Sequence, residues 1–150
     1  MMLESLLAYA HLLAILTMVV FLSSEAALCR TQWLNAAVVE RLGRVDLIYG
    51  IAAGAVLLTG LLRTWLGAKG ADWYWTNPLL HLKLTLFVVV GLLSIKPTIM
   101  FVRWRRALRA SGSLPTEGEV KLARRLVMVQ AHLLALIPLA AVFLARGYGK

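Results

Sequence analysis

Three histidines are the residues best suited to chemistry in this chain: His11, His81 and His132, each inside a different long apolar run. A neutral imidazole can ligate a metal or a haem iron, and one deep in hydrocarbon is costly without a partner. His11 lies about two helical turns into its run, on the order of 8 Å deep at 1.5 Å per residue. His81 follows only a few residues after Pro78. If both runs cross a membrane in the same direction, the two imidazoles sit at comparable depth. That pattern predicts haem b held between helices, with His11 and His81 as axial ligands and His132 in reserve, because bundle cofactor sites are built from facing helices. Haem propionates attract cations, and Arg63 and Lys69 belong to the same end, as does Lys83. Two residues after His81 on a regular helix, Lys83 points nearly the opposite way, and its alternative is to snorkel to the membrane surface.

Copper is the alternative occupant, again on His11 and His81, with Met18 and Met128 as soft ligands. The plain alternative is that each histidine only hydrogen-bonds a neighbouring helix. With no Cys-x-x-Cys-His segment in the chain, any haem is non-covalent. A glycine-rich phosphate loop, a His-Glu-x-x-His zinc motif and a serine nucleophile elbow are also absent.

Glu25 is the second chemical candidate. His11, Met18 and Glu25 are spaced by sevens and so share one helix stripe, drifting by roughly 20° per heptad. Glu25, Arg44, Asp46 and Lys96 fall near one end of the runs, and opposite charges at one depth can pair. A structural ion-pair network is expected there, with Tyr49 one turn beyond Asp46. Proton transfer by Glu25 is the catalytic reading.

The elements that carry these residues follow from composition. Of 150 residues, 61% are hydrophobic and the mean hydropathy is +0.79, against roughly 45–50% apolar content in a soluble domain. A chain this short cannot bury so much apolar surface in a soluble core. Four runs approach or exceed the roughly 20 residues that cross a bilayer: Leu6 to Leu28, Val45 to Leu66, Leu79 to Val102 and Leu126 to Ala145. The first lacks the basic leader of a signal peptide and is preceded by Glu4. An all-α, integral membrane four-helix bundle forming one domain is expected.

Net charge of +9 reflects the membrane rather than nucleic acid. Arg103, Arg105, Arg106, Arg109, Lys121, Arg124 and Arg125 crowd the third loop, and Arg30, Arg41 and Arg44 the first. Basic loops stay cytoplasmic, which places loops one and three inside and both termini outside the bacterial inner membrane. The second loop, with Trp65, Trp73, Tyr74 and Trp75, has the aromatic content of an interface. Thr31 to Gly43 reads as a short amphipathic interfacial helix through Trp33, Leu34, Val38 and Leu42, or as a plain helical hairpin continuing both spans. Gly50, Ala53, Gly54 and Gly60 give span two a small face for close packing. Thr116 and Glu119 form a capping box, while Pro97 and Pro138 kink their helices or free a backbone carbonyl. The lone Cys29 excludes an internal disulfide.

Tyr9-Ala-His11, Arg44-Val-Asp46-Leu-Ile-Tyr49-Gly50 and Asn77-Pro-Leu-Leu-His81-Leu-Lys83-Leu resemble the span openings of an uncharacterised family of small four-span bacterial membrane proteins, over nearly the whole chain. More remotely, His11 and His81-Leu-Lys83-Leu are similar to HemJ-type protoporphyrinogen oxidases and the membrane domain of copper-resistance protein D. That likeness implies haem b at His11, a second functional position at Lys83, and porphyrin oxidation. The chain departs from the HemJ type after His11, where it reads Leu12-Leu-Ala-Ile-Leu-Thr-Met18. Expected partners are the lipid bilayer, a quinone, a porphyrin or a redox protein, a second copy of the chain, and no nucleic acid.

Overall fold

The computed structural model describes residues 1–149. The four apolar runs become four long helices: α1 (Met2–Leu28), α2 (Ala36–Leu66), α4 (Pro78–Ser111) and α5 (Glu117–Ala145), with a one-turn α3 (Ala71–Trp75) between α2 and α4. All four are long and apolar enough to cross a membrane. With 27 to 34 residues each, they are about 40 to 51 Å long at 1.5 Å per residue, longer than a ~30 Å hydrocarbon core.

Each start has a local cause. Asn35 caps α2 by accepting from the Val38 N–H at 3.0 Å. Asn77 caps α4 through the Leu79 N–H at 2.9 Å, with Pro78 at the first helical position, where no N–H is needed. The expected capping box closes reciprocally between Thr116 and Glu119 at the start of α5. Gly112 ends α4 in the left-handed region at φ +70°, a conformation glycine adopts without a Cβ penalty.

The helices alternate in direction. Neighbours around the ring are α1–α2, α2–α4, α4–α5 and α5–α1, so α1 faces α4, and α2 faces α5, across the diagonals. At the end carrying the termini, Glu4 accepts from the Ala68 N–H and Asn77 donates to the Tyr148 carbonyl. At the opposite, arginine-rich end, Arg109 donates twice to Glu40 at 2.9 Å. These are called the terminal end and the basic end below.

The core runs through Met18, Leu22, Tyr49, Ala52, Val56, Val90, Phe101, Trp104, Ala123 and Val127. Large apolar side chains such as Leu12, Leu16, Ile51, Leu58, Leu92 and Leu139 lie outside, as expected of helices solvated by lipid tails.

Two local expectations change. Thr31–Gly43 holds no separate interfacial helix: α2 runs unbroken from Ala36, because Val39, Leu42, Val45 and Tyr49 form one continuous buried stripe. The small face of span two divides. Gly50 and Gly54 are exposed, with nothing within 4 Å of an added Cβ, whereas Gly60 packs on His11. Pro97 and Pro138 lie inside the unbroken α4 and α5, and Pro97 frees a backbone carbonyl as expected, that of Leu93.

Candidate functional site

In the terminal half, His11 is half-buried in the groove between α1 and α2. Gly60 makes this approach feasible: a Cβ there would lie 3.1 Å from His11 Cε1. His11 Nδ1 is 2.8 Å from Thr59 Oγ1. That hydroxyl has a single proton, and the 2.6 Å contact to the Ala55 carbonyl takes it. Toward His11, Thr59 is therefore the acceptor. The imidazole proton sits on Nδ1, and Nε2 keeps a free lone pair. Holding one ring nitrogen as a donor so that the other can ligate is how proteins prepare metal-binding histidines.

Arg63 and Lys83 act electrostatically on His11, and Arg63 on Lys83. Lys83 is half-buried on α4 while His81, two residues earlier, is exposed. The phase of α4 thus brings the lysine, not the histidine, toward His11. His81 instead donates from Nε2 to the Trp75 carbonyl at 2.7 Å, with its ring edge-on to Trp75 at 6.3 Å. Trp75 in turn stacks obliquely on Trp65 at 6.1 Å. The turn of α3 holds this aromatic pile against the start of α4, which fixes His81 outward with its Nδ1 uncommitted. Lys69 donates to the Ala145 carbonyl at 3.4 Å and covers the Trp73 ring at 4.1 Å, so it ties the loop to the end of α5. His132 is exposed and donates from Nδ1 to Met128 O at 2.6 Å, which places it on the outer surface of α5.

The basic half holds a different arrangement. Glu25 and Asp46 are 1% and 7% exposed, and their carboxyls meet at hydrogen-bonding range across the α1–α2 contact. The ion-pair network expected here does not form. Among the described residues the ion pairs are Arg109–Glu40 and Lys121–Glu117, and Arg44 and Lys96 are exposed. Their long stems reach outward to the surface, as amphipathic side chains do.

One turn along α2, the Tyr49 hydroxyl donates to Gln130 Oε1 at 3.1 Å, a bond that crosses the α2–α5 diagonal. Gln130 is fully buried, and its Nε2 donates to the Leu93 carbonyl on α4 at 3.5 Å. That carbonyl is free for a specific reason: its helical partner would be the N–H of residue 97, and Pro97 has none. Gln130 is the functional-looking residue missed by sequence reasoning. The signal was the proline four residues after Leu93, which announces an orphan carbonyl without saying what satisfies it.

The sequence profile of a family described as "Predicted membrane protein (DUF2214)" matches residues 3–149. The chain belongs to the DUF2214 family. Among curated proteins and among solved structures nothing matches, so the likeness to HemJ-type oxidases and to copper-resistance protein D has no support from either. What the DUF2214 chain offers a ligand is therefore read from its own donor set. No three His, Cys, Asp or Glu side chains converge among the described residues. Met18 is buried in the core one heptad below His11. The donor set of the terminal half is thus one imidazole in the field of two cations, Arg63 and Lys83.

Proposed function

We propose that this protein is a haem b protein of the bacterial plasma membrane, serving electron transfer or oxidation of a small substrate. The observation that carries the reading is the 2.8 Å contact of His11 Nδ1 with Thr59 Oγ1, whose own proton goes to the Ala55 carbonyl; the tautomer this implies leaves Nε2 ready to ligate. Arg63 and Lys83 beside it would neutralise the propionates, with His81 the second histidine at the same end. Bound haem supplies one-electron chemistry at a potential set by its axial ligand and surroundings. The chain's own residues do the rest. Thr59 orients the imidazole, Gly60 admits it into the α1–α2 groove, and apolar side chains limit access of water.

The positive charge of the basic end supports an orientation with loops one and three cytoplasmic and both termini outside. In that orientation the histidine half faces the exterior, where a quinone, a porphyrin or a redox protein would exchange electrons.

The test is the visible spectrum of detergent-purified protein, oxidised and dithionite-reduced, from cells supplied with haem. A reducible Soret and α-band, lost in His11→Ala, is expected, whereas His81, held outward by the Trp75 carbonyl, should leave the band in place when changed to Ala. Thr59→Val leaves the ligand but removes its orienting partner, and should weaken haem binding by roughly 10- to 100-fold. A colourless wild-type protein, or a spectrum indifferent to His11→Ala, refutes the proposal.

A further inference from the structure

The structure points to a second site, independent of haem, in the basic half of the bundle. We infer that Glu25 and Asp46 share one proton and constitute an intramembrane protonation site, with Asp46 as its more accessible member.

Three observations carry this. Both carboxyls are buried and lie at hydrogen-bonding range of each other, and two carboxylates so placed cannot both ionise without a large repulsion. No cation neutralises them: neither takes part in an ion pair among the described residues. Finally, Glu25 Oε1 is buried without a hydrogen-bond partner. An ionised oxygen so placed would carry the full cost of desolvation, several kcal/mol for an unpaired buried ion. A neutral acid donating to its neighbour removes most of that cost, because one bonded proton satisfies both groups.

The surroundings agree from every side. Beyond the end of α1 come the buried Cys29, within the field of Glu25, and the half-buried Arg30, whose guanidinium lies over the Trp33 ring at 4.8 Å. On α2 Tyr49 lies in the field of both carboxyls, but its own proton is given to Gln130 of α5. On α5, Arg124 is half-buried and acts on Cys29. On α4, Phe101 and Trp104 belong to the same buried core, while Lys96 and Arg103 are exposed. The ligand that this constellation takes is a proton. Asp46, ten residues after the start of α2, is 7% exposed against 1% for Glu25. Exchange therefore runs through Asp46.

The experiment is infrared difference spectroscopy on the full-length protein in liposomes at pH 7, without added haem. The C=O stretch of a protonated carboxylic acid, distinct from carboxylate and amide bands, should be present and should shift down in D2O. In Glu25→Gln and in Asp46→Asn the band should vanish or move, while Glu4→Gln and Asp72→Asn leave it unchanged. Each amide keeps a hydrogen bond to the remaining carboxyl, so both variants should fold and melt no lower than wild type. Absence of the band in the wild-type protein overturns the inference, and so does a band that neither variant alters. A marked loss of melting temperature in both variants also overturns it, because that result identifies the carboxylates as charges held by a cation.

Discussion

Replacing Gln130 by leucine tests the packing logic of the bundle most directly. The side chain is fully buried and joins three helices, through Tyr49 at 3.1 Å and the Leu93 carbonyl at 3.5 Å. Leucine is of similar volume, so the change removes hydrogen bonds with little change of shape. Two groups lose their partners: the Tyr49 hydroxyl and the carbonyl freed by Pro97. Stranding a buried polar group costs about 1–3 kcal/mol, yet hydrogen bonds inside membrane bundles average only about 0.6 and reach about 1.7 kcal/mol. The Leu93 contact is long and contributes at the low end. A net loss of about 1–2 kcal/mol is therefore expected for Gln130→Leu, reduced by the apolar surface that leucine adds.

The decisive quantity is the coupling. Tyr49→Phe removes the hydroxyl that Gln130→Leu strands, so the double variant should be more stable than the sum of the two singles by about 1 kcal/mol. Reversible unfolding in mixed detergent micelles measures all four species. Additive behaviour within about 0.3 kcal/mol would refute the Tyr49–Gln130 bond as the diagonal tie. Pro97→Ala supplies an independent arm. It returns an N–H to the Leu93 carbonyl and competes with Gln130 Nε2 for it, so the cost of Gln130→Leu should fall in that background.

Other perturbations separate packing from surface effects. Gly60→Ala places a methyl 3.1 Å from His11 Cε1 and should cost about 1 kcal/mol by crowding, which thermal unfolding will read; a gain would mean that His11 has left the groove. Gly50→Ala and Gly54→Ala meet nothing within 4 Å and should stabilise α2 by about 0.5–1 kcal/mol each through helix propensity. A loss instead, with a change in mass by light scattering, would reveal a second copy seated on that face. Asn77→Ala removes the cap of α4 and the tie to Tyr148; about 1–2 kcal/mol is expected, and a smaller effect would make the C-terminal contact incidental. Arg109→Ala breaks an exposed ion pair and should cost less than about 1 kcal/mol, vanishing in high salt.

The membrane helices were legible because the relevant signal is one-dimensional: long apolar runs state their own positions, although α2 begins at Ala36 and not at Val45. The capping box at Thr116 is equally local, and it forms as its spacing implies. The interior was harder to read, since a residue's partner depends on helix phase and on which helices are neighbours. His81 and Lys83 show this. Their depth is visible in the sequence, but which of them turns toward His11 is decided by α3, whose Trp75 carbonyl holds His81 outward. The charges at the basic end teach the same lesson. Glu25, Asp46, Arg44 and Lys96 lie at similar depth, and depth alone favours ion pairs. Long arginine and lysine stems can reach the membrane surface, while short carboxyl side chains on a buried stripe cannot. Chain length therefore sorts the cations outward and leaves the acids facing one another. A carboxyl pair with no ion-pair partner among the described residues is the consequence, a place where a proton, rather than an arginine, balances charge.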